Sequence, residues 1–114
     1  TVFDDVKDNF TIMKQEPFGP LVPVLSFKNF DEVIERANDN DLGLCSYIYT
    51  NSMEQAHRAS ELMETGCVAV NTAAVAVAEA PFGGIKQTGY GREGGSMAIK
   101  DYLNIKYTHL GLKG

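Results

Sequence analysis

Two short cap-and-helix patterns, each tied to an apolar run, constrain this chain more than any other feature. Asn29-Phe30-Asp31-Glu32 is a capping box with Asn in the place of the usual Ser or Thr. Val33, Ile34 and Ala37 follow at helical spacing with charges on the opposite side, which predicts a helix over 31–38. The Asn38-Asp39-Asn40-Asp41 run and Gly43 end it. Ser52-Met53-Glu54-Gln55 is a second capping box. It opens a helix with Ala56, Ala59, Leu62 and Met63 on its apolar side and Gly66 as its left-handed C-terminal cap. Residues 45–49 before it and 67–70 after it read as strands. Strands alternating with single helices imply an α/β fold, a largely parallel sheet with right-handed crossover helices.

The flanking segments fit the same scheme. Residues 2–6 and 21–27 are β-type runs, and Pro23, which has no N–H for a ladder, places the second at a sheet edge or makes it start late. A helix is expected in or after 94–103, and Ile105, Tyr107 and His109 alternate with Lys106 and Thr108 as a closing strand covered on one side. No internal repeat is present. At 114 residues the chain is enough for about one small domain. A net charge of -5 argues against the basic face of a nucleic-acid binder. The uncharged stretch 67–78 is too short for the roughly 18 apolar residues of a membrane span. Because Thr1 already opens inside a strand-like run with no signal peptide before it, a piece of something longer is expected. Cys45 and Cys67 read as small core residues, and two buried thiols suit a reducing, cytoplasmic compartment, with a single disulfide between them the other reading of two cysteines.

Six of the eleven glycines fall between Gly83 and Gly95. Within that cluster Gly89-Tyr90-Gly91-Arg92-Glu93-Gly94 matches the letters of the dinucleotide fingerprint GxGxxG. The fingerprint has to follow a strand and open a helix, with an acid about 20 residues on. Here residues 81–88 are loop-like and no such acid follows. The segment therefore reads as a structural loop that carries Arg92 into an ion-pair network. CxxC, HExxH and GxSxG are absent, His57 and His109 have no second metal ligand nearby, and both cysteines sit among apolar neighbours. The chain by itself offers no catalytic constellation and no metal site.

Two longer segments are more specific. Gln15-Glu16-Pro17-Phe18-Gly19-Pro20 resembles the E-x-F-G-P signature of the aldehyde dehydrogenase superfamily. Ala80-Pro81-Phe82-Gly83-Gly84-Ile85-Lys86-Gln87-Thr88-Gly89 resembles its P-F-G-G-x-K-x-S-G signature, with Thr for Ser, and Gly91-Arg92-Glu93 the G-R-E that follows. Asn71 fits the family's strand-then-Asn. The resemblance runs nearly end to end, with the motifs in order and at the right spacing. It implies the C-terminal part of an aldehyde dehydrogenase-like catalytic domain over 1–103, with an oligomerisation strand and tail over 104–114. It also implies oxidation of an aldehyde to the carboxylic acid with NAD or NADP, through a cysteine thioester that a glutamate-activated water hydrolyses. In the family that cysteine, that glutamate and the cofactor-binding Rossmann domain lie upstream, so the piece alone is expected to be inactive. Assembly as a homo-oligomer, dimer or tetramer, is implied too.

The resemblance assigns roles where motifs match. Glu16 would accept hydrogen bonds from the ribose hydroxyls on the nicotinamide side, and Phe18 would pack beside the nicotinamide, with Gly19 and Pro20 setting the turn between them. Phe82 would line the aldehyde tunnel. Asn71 would fix loop backbone. The GGIKQTGYGREGG and DYLNIKY wording is similar to the succinate-semialdehyde dehydrogenase branch, which places a serine five residues before the P-F-G-G proline to hold the substrate carboxylate. This chain has Ala76 there, so succinate semialdehyde, a related semialdehyde and a less polar aldehyde stay open as substrates. Asn104 stands where some members carry a glutamate that pairs with the G-R-E arginine. The other functional class in view is a non-catalytic α/β module for nucleotide binding through 89–94 or for assembly through the last strand.

Overall fold

A computed structural model describes residues 1–112 and 114. The elements run β1 (Val2–Phe3), α1 (Thr11–Lys14), β2 (Val22–Pro23), α2 (Phe30–Asn38), β3 (Leu42–Gly43), β4 (Cys45–Ile48), α3 (Met53–Leu62), β5 (Cys67–Val70) and β6 (Ile85–Lys86), with a 3-10 turn at Ala98–Tyr102. Both N-caps form, but in neither helix does the third residue return a bond to the cap residue's own N–H. The Asn29 carboxamide accepts from the Glu32 N–H at 2.9 Å, and the Glu32 carboxylate accepts from the Lys28 N–H at 2.9 Å. Ser52 Oγ accepts from the Gln55 N–H at 3.3 Å, while the Gln55 side chain accepts from the Thr50 hydroxyl at 2.9 Å.

The strands pair in three couples rather than in one sheet. β1 and β2 are parallel with Val2 opposite Val22, and β4 and β5 are parallel from Cys45 opposite Cys67 to Ile48 opposite Val70, joined by α3 as the crossover. The parallel arrangement read from the sequence is therefore present. The third couple, β3 with β6, is antiparallel, Leu42 facing Lys86 and Gly43 facing Ile85. Pro23 is tolerated because the ladder uses its neighbours: Val22 N–H donates to Thr1 O at 2.9 Å and Val24 N–H to Phe3 O at 2.8 Å. β2 pairs with β1 alone, an edge as expected.

Gly66 does not cap α3. The helix ends at Leu62 with Met63 in an extended conformation, φ -70° and ψ 124°. Its free backbone groups go instead to Asn38 at the end of α2. The Asn38 amide donates to Leu62 O at 2.8 Å, and its Oδ1 accepts from the Glu64 N–H at 2.9 Å. One side chain thus ties the C-terminal ends of both helices. Arg58 adds a second tie, lying 4.4 Å from the centre of the Phe30 ring and 3.2 Å from Asp31. A third joins α2 to the N-terminal segment. Arg36 bonds both oxygens of Asp8, at 3.0 and 3.3 Å, and the bond to Asp8 holds its guanidinium more firmly protonated than usual.

Asn71 closes the β4–β5 couple as a side-chain rung. It sits in the left-handed region at φ 55°, with Oδ1 accepting from the Thr50 N–H at 3.0 Å and Nδ2 donating to Thr50 O at 2.9 Å. Asn71 fixes loop backbone, as its place after the strand implied. We expect Asn71→Ala to lower stability by about 1–2 kcal/mol, from two lost bonds and a left-handed alanine. Asn71→Gly should recover the conformational part only, which urea unfolding of the three forms measures.

The buried apolar residues are few and small: Val6, Ala56, Ala59 and Ala69. Larger groups such as Phe3, Phe27, Tyr47 and Leu44 stay exposed. The radius of gyration is 19.5 Å, against roughly 13 Å for a compact domain of this length. The accessible surface is 9294 Å², where a compact monomer of this mass shows about 6,200 Å². Residues 103–112 add to that surface. They form no helix or strand and remain exposed. The closing strand expected at 105–109 has no ladder partner among the described residues, and a strand exists only as half of a pair.

Candidate functional site

The glycine-rich segment serves as a fastening. Phe82 and Glu93 exchange both backbone bonds, at 2.7 and 2.8 Å, so the segment folds back on itself. Gly89, Gly91, Gly94 and Gly95 take positive φ of 122°, 85°, 73° and 60°. Such a run of left-handed turns needs glycine. No helix opens from the Gly89–Gly94 letters; the next helical residue is Ala98. The phosphate-cradle arrangement, strand then glycine turn then helix, is absent there.

Side chains of this segment fasten it to the rest. Thr88 Oγ1 accepts from the Gly43 N–H at 2.7 Å, holding β3. The Lys86 ammonium donates to Asn38 O at 2.8 Å and Asn40 O at 2.9 Å and pairs with Glu64. It satisfies carbonyls at and just beyond the end of α2, where a cation is also favoured by the helix dipole. Arg92 departs from the expected ion-pair network. Its guanidinium donates to the carbonyls of Gly84 at 2.8 Å and Gly91 at 2.7 Å, while Asp101 accepts from its backbone N–H at 2.7 Å. Asn104 stays exposed outside this cluster. The buried Gly84 carbonyl needs a donor, and Arg92 is the donor within reach, bonding the exposed Gly91 carbonyl as well.

Against this fastening lie two adjoining cavities. The first, about 620 Å³, is walled by Glu16, Met13, Cys45, Leu42 and Thr88 among others. Among the described residues nothing bonds the Glu16 carboxylate, so both its oxygens are free to accept. The second, about 420 Å³, is lined by Phe82, Tyr90, Arg92 and Asp101. Leu44 and Thr88 contribute to both. The fold thus brings Glu16 and Phe82 to neighbouring hollows. It does not bring Phe18 or Ala76 into either: the Phe18 ring is 96% exposed, and Ala76 lies on an exposed loop.

In chemical terms the first hollow presents an unpaired carboxylate, the free hydroxyl-accepting group that a ribose diol requires. The exposed Phe18 close by in the chain supplies a flat apolar face. A carboxylate acceptor with an apolar ring close by in the chain fits the ribose and nicotinamide end of a dinucleotide. Among the described residues no three His, Cys, Asp or Glu side chains converge as metal ligands. Neither cysteine is set up as a nucleophile; burial and then the neighbouring Cys67 thiol push the Cys45 thiol up. The fastening by Lys86, Thr88 and Asn38 escaped the sequence reading. Its only signals were a lysine inside a signature and an asparagine at a helix end.

Residues 1–108 match the Aldehyde dehydrogenase family profile. The chain is 49% identical over 111 residues to a 3-sulfolactaldehyde dehydrogenase of Pseudomonas putida, covering 97% of this chain and 23% of that one. It is 45% identical to a succinate-semialdehyde dehydrogenase (NADP(+)) of Escherichia coli (strain K12), covering 98% and 23%. Its fold superimposes with a TM-score of 0.92 on an NAD+ complex of an aldehyde dehydrogenase from Bacillus cereus, at 43% identity, covering 98% of this chain and 23% of that one. The chain therefore spans about a fifth to a quarter, 21–23%, of the length of such curated relatives. No helix is long and apolar enough to cross a membrane among the described residues.

Proposed function

The chain belongs to the aldehyde dehydrogenase family, and from that premise we propose that it forms the nicotinamide-ribose edge and one aldehyde-facing wall of an NAD(P)-dependent dehydrogenase. The observation that carries this reading is the unpartnered Glu16 carboxylate on the wall of the larger cavity. Its two oxygens accept from the two ribose hydroxyls and so fix the orientation of the attached ring. Phe18 limits the ring's positions from the open side, and Phe82 supplies an apolar wall that keeps water from the aldehyde. When bound, the nicotinamide supplies the hydride acceptor. The nucleophilic cysteine and the general-base glutamate of the thioester route belong to the remainder of the enzyme, so this piece alone is inactive.

A semialdehyde, succinate semialdehyde or a relative of it, is the proposed substrate class. The resemblance to enzymes named for 3-sulfolactaldehyde and succinate semialdehyde supports it, both names denoting aldehydes with a second acidic group. Ala76 offers no hydroxyl to such a group, so that contact comes from elsewhere in the enzyme. Residues 104–114 are proposed to complete a sheet with a second subunit in a dimer or tetramer. The exposed backbone of residues 104–112, which pairs with no strand among the described residues, supports this. A cytoplasmic location, from the reduced thiols, belongs to the same proposal.

Glu16→Gln in the full-length enzyme tests the site. The amide keeps the shape and loses the charge, so the KM for NAD(P) should rise about tenfold, about 1.4 kcal/mol of lost charge-assisted bonding. Unchanged KM and unchanged hydride-transfer rate together would remove the role assigned to Glu16.

A further inference from the structure

Arg36 on α2 is bonded to both ends of the stretch that carries Glu16. Its Nε and Nη2 each donate to the Asp8 carboxylate at 3.0 Å, and its Nη1 donates to Ser26 O at 2.8 Å. Asp8 stands before α1 and Ser26 after β2, so one guanidinium closes the base of the excursion 9–25. Glu32, one turn earlier on α2, accepts from the same Nη1 at 3.2 Å and holds the guanidinium in place. β1 secures Val22 and Val24 through backbone bonds, whereas residues 9–21 have less to hold them. α1 buries none of its residues, and its backbone bonds are those of its own turns. Among the described residues the one side-chain bond from the rest of the chain to 9–21 is that of Lys14 with Asp39 at 3.4 Å. Both of those partners are more than half exposed, where such a pair contributes little. Yet Met13, Gln15 and Glu16 wall the larger cavity, and α2 contributes Ala37, the residue after Arg36, to the same hollow.

We infer that Arg36 is a positioning residue for the cofactor end of the site: its clasp on Asp8 and Ser26 fixes the excursion against α2 and so sets where the Glu16 carboxylate stands before a dinucleotide arrives. The inference rests on the reading of Glu16 as the acceptor for the ribose diol. Two hydroxyls reach two carboxylate oxygens only when the backbone behind them is placed to about 0.5 Å. A short helix with no buried face does not hold that placement by itself, and ordering it on binding would subtract from affinity. Arginine suits the task because its planar fork bonds a carboxylate through two N–H groups while a third reaches a carbonyl. Lysine is a point charge and cannot span both partners in that way. Arg36 is not itself on the cavity wall, so its effect on the cofactor passes through Glu16.

The test is equilibrium titration of the full-length enzyme with NADH and with NADPH, followed by nicotinamide fluorescence, so the readout is binding rather than turnover. The forms compared are the parent, Arg36→Met, Glu16→Gln and the double variant. Methionine keeps the stem and removes the fork. Arg36→Met should raise Kd about threefold to fivefold, below the ceiling of about tenfold set by losing the Glu16 charge itself. In the Glu16→Gln background it should change Kd by less than about 1.5-fold, because the group it places is already gone. Asp8→Asn, which keeps one oxygen for the fork, should weaken binding in the same direction by less, and it carries the test if Arg36→Met does not fold. Equal weakening in both backgrounds would show a general loss of structure and overturn the role. An unchanged Kd in Arg36→Met and Asp8→Asn, beside a weakened Glu16→Gln, would overturn it too while leaving the Glu16 reading in place. An unchanged Kd in Glu16→Gln would remove the Glu16 reading, and this inference with it.

Discussion

Gly66→Ala should lower the stability of the full-length protein by about 3 kcal/mol or more, a larger loss than most single substitutions produce. The chain after α3 passes directly against the glycine-rich segment. A β-carbon at Gly66 would collide with the Gly83 carbonyl oxygen and come within 3.0 Å of Gly84 Cα. Crowding against side chains usually costs about 1–3 kcal/mol, because rotamers yield. Here the obstacle is backbone on both sides. Gly66 cannot retreat, since its N–H donates to Gly43 O at 3.0 Å and the next N–H, of Cys67, to Leu44 O at 2.9 Å. Gly19→Ala is the matched control. A β-carbon there meets nothing within 4 Å and no left-handed conformation is involved, so it should change stability by no more than about 0.5 kcal/mol. Urea unfolding of the two variants beside the parent settles it: equal midpoints would show that the two backbones are not in contact.

Lys86→Met carries the second large effect. Its ammonium serves two carbonyls and the Glu64 carboxylate at once, and methionine fills the stem while removing every bond. Charge-assisted bonds contribute about 1.5–3 kcal/mol each. The Lys86 side chain is 24% exposed and Glu64 more so, and solvent discounts the ion-pair part heavily. A net loss of about 2–3 kcal/mol is the expected outcome, most of it from the carbonyls of Asn38 and Asn40. Lys86 itself stands at φ 56°, a left-handed conformation that its bonds help hold. Glu64→Gln separates the parts. Combined with Lys86→Met in a double-mutant cycle, it should show a coupling of less than about 1 kcal/mol. A coupling as large as the whole loss would move the role from capping to ion pairing.

Among the elements, α2 and α3 could be read from the chain because their signals are local. Asn29, Glu32, Ser52 and Gln55 lie within one helical turn of the groups they bond, so sequence spacing and spatial distance coincide. β4 and β5 were legible for the same reason, as apolar runs on either side of one helix. Gly66 misled because a glycine just after a helix has two readings, a left-handed cap or a close approach. Only the position of Gly83 chooses between them. Arg92 misled similarly: a charged group in a glycine loop suggests an ion pair, yet the acceptors within reach are carbonyls that no sequence pattern advertises. At the candidate site the signatures marked Glu16 and Phe82, and the fold sets both on cavity walls. Phe18 and Ala76 came from the same reading and stand outside the hollows.

What the sequence determined by itself is what acts over a turn or a strand: the two capped helices, the parallel couples that one crossover can make, the edge position of Pro23, and the family its two signatures belong to. The tertiary structure alone decided the antiparallel β3–β6 couple, the contact of Gly66 with Gly83, the sharing of Asn38 between two helix ends, and the opposition of Cys45 to Cys67. Those features join residues distant along the chain, and their energies depend on distances of a few ångströms that spacing in sequence does not encode. Local bonds form wherever the residues are neighbours, whereas contacts between distant segments exist only once the whole path of the backbone has been fixed.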